Sequence, residues 1–241
     1  ISLVESISSD LTEIYVDPES GDDNFSGSYE LPIKSISVAV ERAAENTINN
    51  VYVKSGSYTL SSSIDINTNS TNPIIISPEP SGTVTLKLSS YRNFRFYGGA
   101  KNIEVKGFHL DGLSNEIDHW TLLSKYVWQP DLLTNDLSGG GICFQVEDAE
   151  DISISDNIIH DFYQKAVNIE DGRYVKISGN IIYNIGQTSL SGGHGIMRQQ
   201  GSGSFDDDDN SSKYRWDING NLIFNVYQKI YSWVPGKGYL N

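Results

Sequence analysis

Residues 152–162 read ISISDNIIHDF, residues 175–185 read VKISGNIIYNI, and residues 216–226 read WDINGNLIFNV. Aligned, the three put Asn157, Asn180 and Asn221 in one column, spaced 23 and 41 residues apart. A step of 23 falls in the range of stacked structural repeats. The longer step contains SLSGGHG and GSGSFDDDDNSSK, both loop-like in composition, and reads as one repeat carrying insertions. Within each copy apolar residues alternate up to the turn, at Ile152 and Ile154, Val175 and Ile177, Trp216 and Ile218, and return after it at Ile159, Ile182 and Ile223. That pattern is strand, tight turn, strand. Asp156, Gly179 or Gly220 precedes each asparagine, residue types that accept the positive φ such turns require.

A third strand per repeat is predicted at 141–147 (GICFQVE), 165–170 (KAVNIE), 194–199 (HGIMRQ) and 229–234 (KIYSWV). Three short strands in 23 residues predict an all-β fold, a single-stranded parallel β-solenoid whose repeats stack like over like. A buried asparagine column would bond to backbone and to its neighbours above and below, which makes it structural. A degenerate copy, IEVKGFHLDGL at 103–113, puts Phe108 in the asparagine column. Upstream, PIIISP, TVTLKLS and FRFYGG supply further strands, and 33–46 carries helical spacing through Ile36, Val40 and Ala43. The expected organisation is one domain over 1–241, with a capping helix at about 33–46, inserted loops at about 113–140 and 200–213, and more repeats beyond the end of the chain.

Composition narrows the partners. With 17 Lys plus Arg against 31 Asp plus Glu, the formal net charge is −14, so the averaged field repels nucleic acid and anionic membranes. An anionic ligand then needs a local basic cleft or a bridging ion. No run of 18 apolar residues predicts a membrane span. Cys143, the one cysteine, reads as a small core hydrophobe. Oligomeric state is left open by the sequence.

The passage IYVDPESGDDNFSGSYELPIKSISVAVERA, residues 14–43, together with the Asn-Ile-Ile repeats, resembles the right-handed parallel β-helix proteins of the pectate-lyase-like superfamily. That superfamily includes pectate, alginate and chondroitin lyases and several glycoside hydrolases. The resemblance implies a secreted or cell-surface protein that handles polysaccharide. It also implies a cleft along one parallel sheet, framed by the loops at 113–140 and 200–213.

On that sheet, alternation from the apolar Phe144, Val167, Ile196 and Ile230 turns Gln145, Asn168, Met197 and Tyr231 outward, with Glu147, Glu170, Gln199 and Trp233 two residues on. Amides, carboxylates and aromatic rings suit sugars, so Gln145, Asn168, Gln199, Tyr231, Trp233 and Trp128 are candidate substrate contacts. A lyase needs a base for the proton α to a uronate carboxylate and a cation to offset the forming charge. Lys165 is a candidate base, or else a solvated strand-end lysine; Arg198 is a candidate carboxylate clamp, or else an ion-pair partner of Glu170. His194, in the glycine-rich SGGHGIM, completes the candidate set, whereas His160 aligns with Tyr183 and Phe224 and reads as part of an aromatic stack. Asp206, Asp207, Asp208 and Asp209 form a run from which two carboxylates could join Glu170 around Ca2+, or else a solvated loop. DPESGDDN lacks the spacing of a calcium loop and reads as a turn. Glu147 and Glu170 on stacked repeats also permit a glycosidase. The functional expectation is an enzyme cleaving an acidic glycan, by calcium-assisted β-elimination or by hydrolysis; the alternative is a non-catalytic glycan-binding or adhesive module.

Overall fold

The computed structural model describes residues 11–116, 140–187, 193–199 and 214–227. The chain begins with β1 (Glu13–Val16), helix α1 (Ile36–Glu45) and β2 (Asn50–Val53). Next come β3 (Gly56–Leu60), β4 (Ile64–Ile66), β5 (Asn69–Pro78), β6 (Val84–Leu88), β7 (Arg92–Phe96), β8 (Ala100–Lys106) and β9 (His109–Asp111). Beyond the first insertion lie β10 (Ile142–Glu147), β11 (Ala149–Ser155), β12 (Ile158–His160), β13 (Lys165–Glu170), β14 (Val175–Ser178) and β15 (Ile181–Ile185). The last described strands are β16 (His194–Gln199), β17 (Trp216–Asn219) and β18 (Leu222–Val226).

These strands form three sheets that do not close on one another. The first runs β1-β2-β5-β8-β11-β14-β17, the second β3-β6-β9-β12-β15-β18 and the third β4-β7-β10-β13-β16. All named pairs are parallel, and from β2 to β18 the chain visits the first, second and third sheet in strict rotation. The predicted strand at 229–234 lies outside the described residues.

Register confirms the repeat. Ile158 pairs with Ile181, which pairs with Leu222, and Phe144 pairs with Val167, which pairs with Ile196. Inward residues of all three sheets, among them Ile103, Ile152, Leu110, Ile159, Phe94 and Phe144, pack in one buried cluster. Phe94 and Phe144 stack with ring centroids 5.1 Å apart. Cys143 is fully buried in this cluster, and burial pushes its thiol well above the ordinary cysteine range, so it serves as packing.

The asparagine column is a buried ladder. Asn180 Oδ1 accepts from the Asn157 backbone N–H at 3.0 Å and from Asn157 Nδ2 at 3.1 Å, while Asn180 Nδ2 donates to Ile154 O at 2.9 Å and to Asn221 Oδ1 at 2.9 Å. In the degenerate copy the Phe108 N–H donates to Asn157 Oδ1 at 3.0 Å, so the ladder ends there on backbone. Gly179, at φ +70, makes the turn into the column; Asp156 does so in the preceding copy at φ 55.

Helix α1 buries Ile36, Ala39, Val40 and Ala43, one stripe at helical spacing, against β1, β2, β4 and β5. The stretch read as a turn at DPESGDDN anchors its start. Asp17 and Asp22 close turns on the N–H groups of Glu19, Ser20 and Asn24, and Asp23 accepts from the Lys34 and Ser35 N–H groups at 3.1 and 2.7 Å.

Candidate functional site

The outer face of the third sheet is built from three rows of stacked residues. One row runs Arg92, Ile142, Lys165, His194; the next runs Asp65, Arg95, Gln145, Asn168, Met197; the third pairs Glu147 with Glu170 and then Gln199. Strict alternation would turn Lys165 inward with Val167. Instead both Ala166 and Val167 enter the core, so the alternation slips by one and Lys165 lies on the same side as Asn168.

The polar groups on this face form a connected network. Asn168 Nδ2 donates to Gln145 Oε1 at 3.0 Å and to Glu170 Oε1 at 2.9 Å, and Lys165 Nζ donates to Asn168 Oδ1 at 3.3 Å. Arg95 holds Glu147 Oε2 through Nε at 3.0 Å and Nη2 at 2.8 Å, and Arg92 reaches Glu147 Oε1 at 3.3 Å. Gln145 and Asn168 are not open sugar contacts: they are 0% and 1% exposed and form the floor of the network. Two donors on this floor, Gln145 Nε2 and Arg92 Nε, have no acceptor among the described residues. Buried donors without acceptors are costly, and a ligand rich in carboxylate and hydroxyl oxygens is the complement of such a surface.

The electrostatics single out Lys165. Burial holds its ammonium below the ordinary lysine pKa of 10.5; Glu170 pulls the other way and Arg92 adds to the depression. His194, its partner in register, is likewise held below 6.5, first by burial and then by Lys165. A half-buried lysine whose pKa is lowered by burial and by a nearby arginine is in the kind of environment where an amine can serve as a base. Tyr91 and Tyr163, with centroids 6.4 Å apart, stand at the corner leading into this row, and the Arg95 guanidinium lies 4.4 Å from the Tyr97 ring centre.

Of the residues expected from sequence, the structure brings Lys165, His194, Glu170, Gln145 and Asn168 onto one face, with the backbone of Gln199 at its edge. Arg198 stands apart from Glu170. It pairs in register with Ile169, and its guanidinium lies 5.2 Å from the Trp216 ring centre. Trp128, Tyr231, Trp233 and Asp206 to Asp209 lie outside the described residues. Sequence reading missed Arg92, Arg95, Tyr91, Tyr97 and Tyr163. The signal was the pair of arginines three apart in RNFRF, residues 92–96, a strand whose place in the third sheet becomes visible only once β7 is set beside β10 across a long insertion.

No known family profile and no curated protein sequence matches the chain. Among solved structures, the chain is similar to a rhamnogalacturonan lyase, at 18% identity and a TM-score of 0.49, over 88% of this chain and 50% of that one. The chain therefore spans about half the length of that lyase. Among the described residues, no helix is long and apolar enough to cross a membrane.

Proposed function

We propose that the three sheets are the faces of a single right-handed β-helix domain, secreted or held at the cell surface, and that its third face cleaves an acidic polysaccharide by β-elimination. The observation that carries this reading is Lys165, held toward its neutral form in a row that also contains Arg92 and His194. The charge argument from sequence asked for local positive charge in an acidic chain, and Arg92 and Arg95 supply it on this face.

In the proposed reaction the uronate carboxylate meets the partly exposed Arg92 guanidinium. Neutral Lys165 takes the proton α to that carboxylate. The electron pair left on carbon forms the new double bond as the glycosidic oxygen departs at the β position, taking a proton from water. Glu147 is clasped by Arg95 and Arg92, so both its oxygens are engaged, which disfavours the hydrolytic pair of Glu147 with Glu170. The described residues of this face do not offer a hard-cation site: Glu147 is committed to arginine and Glu170 to Asn168. Calcium at Asp206 to Asp209 stays a separate proposal.

Incubation with a panel of anionic polysaccharides, following ultraviolet absorbance of unsaturated ends and release of reducing sugar in parallel, tests the reaction class. Elimination raises both signals. Reducing ends without absorbance would mean hydrolysis, and silence in both, from folded protein, would favour a glycan-binding module.

A further inference from the structure

On the second sheet a different chemistry is assembled. His160 and Asp111 are neighbours in register at the ends of β12 and β9, and Asp161 follows His160 directly. Asp161 takes φ 57, which turns its carboxylate back toward the imidazole of the preceding residue. His160 Nδ1 lies 2.5 Å from Asp161 Oδ2 and 3.9 Å from Asp111 Oδ1, and the three ligand atoms fall within 4.8 Å of one another. His160 and Asp161 are 8% and 4% exposed.

Besides the imidazole, these carboxylates meet the Leu113 N–H, which donates to Asp111 Oδ1 at 2.8 Å. Two carboxylates converge on one imidazole, and among the described residues no lysine or arginine pairs with either; Lys87, next to Asp111 in register, forms no ion pair with it. Buried carboxylates are ordinarily paired or bound to a cation. The imidazole is also held for a purpose beyond packing. Tyr183 stacks on it at 4.9 Å and 9°, Phe224 continues the stack at 5.2 Å and 7°, and His109 Nε2 meets His160 Nε2 at 2.6 Å. A histidine that is fixed through one ring nitrogen and presents the other to carboxylates has the outer-shell arrangement of a metal ligand.

We infer that Asp111, His160 and Asp161 bind a divalent transition ion of the Zn2+ type, with His109 orienting His160. One nitrogen with two carboxylates suits Zn2+ better than Ca2+ or Mg2+, and three protein ligands leave a fourth position for water or a ligand. Bonds of about 2.0 Å place tetrahedral ligand atoms roughly 3.3 Å apart, between the two separations seen here. Entry of the ion requires a change of tautomer, with the 2.5 Å Nδ1–Oδ2 contact opening and the 3.9 Å Nδ1–Oδ1 separation closing toward the tetrahedral spacing. Before it, His160 donates from Nδ1 to Asp161 and accepts at Nε2 from His109. With it, Nδ1 faces the metal and Nε2–H donates to His109 Nε2.

Calorimetric titration of chelator-stripped protein with Zn2+, paired with Co2+ absorbance and a thermal melt, tests the site. One ion per chain, a raised Tm, a Co2+ spectrum of low coordination number, and no comparable response to Mg2+ are expected. His160→Gln and Asp111→Asn, checked for folding by circular dichroism, should abolish the response, and His109→Gln should weaken binding about 10- to 100-fold. Asp111 is only partly buried, so its variant keeps the test open if His160→Gln fails to fold. Absence of binding by wild type, or binding that both ligand variants leave unchanged, would overturn the assignment; the latter would move the ion to the Asp206 to Asp209 run.

Discussion

At the scale of single residues, Lys165 offers the sharpest predictions, because the groups that set its pKa are named. Burial and Arg92 lower it and Glu170 raises it. A base must be unprotonated, so the rate of elimination should rise with pH through the depressed lysine pKa and then level off. Arg92→Met removes a cation that disfavours the ammonium, so the rising limb should move to higher pH; Glu170→Gln removes an anion that favours it, so the limb should move to lower pH. Rate profiles of the three proteins check both signs, and movement in the same direction would refute the assignment. Glu147→Gln separates mechanisms further. It should leave elimination within about tenfold of wild type by loosening the arginines, whereas a hydrolase acid or nucleophile would lose at least about 100-fold.

The same shift bears on stability. The folded chain binds fewer protons at Lys165 than the unfolded chain does between the depressed pKa and 10.5, so the penalty this group places on folding, full below the depressed pKa, is relieved as pH climbs through that window. Asn180 is the structural counterpart. Asn180→Ala orphans the buried Asn157 N–H and breaks the ladder, and should cost about 3 kcal/mol, read from a denaturation midpoint. Asn221→Ala, in the more open last copy, should cost less.

At the scale of elements, the legible part of the fold was the part with local periodicity. The Asn columns, the turns before them and the strands at 142–147, 165–170 and 194–199 all follow from period-two alternation and a 23-residue step. What alternation could not convey is where it slips, and the slip at Ala166 and Val167 carries Lys165 to the outer face. Nor could it convey contacts across insertions. Arg95 and Gln145 are neighbours in register although 50 residues separate them, and His109 meets His160 across 51. His160 stacks on Tyr183 as the alignment predicts, whereas no local pattern sets His109 on its other side. The connection after β9 is similarly tight. A side chain at Gly112 would meet Asp161 O at 2.5 Å and Phe162 Cα at 2.8 Å, so Gly112→Ala should destabilise by about 1–3 kcal/mol and shift Asp161 from its place beside His160.

At the scale of the whole molecule, stacking turns sequence repeats into continuous rows, and each sheet presents its own chemistry outward. The third sheet gathers cations and amides in an acidic chain; the second gathers an imidazole pair, two carboxylates and an aromatic stack. Because the two faces draw on different strands, their functions should separate: a chelator should lower the Tm of Zn2+-loaded protein while leaving elimination at the Lys165 face unchanged. The most direct measurement is the ultraviolet absorbance of unsaturated ends from the anionic polysaccharide panel, with wild type and Lys165→Met compared at equal fold content in the presence of chelator. Absorbance from wild type and none from Lys165→Met is the predicted result. Equal absorbance from both proteins, or reducing ends released without absorbance, would contradict an elimination driven from Lys165.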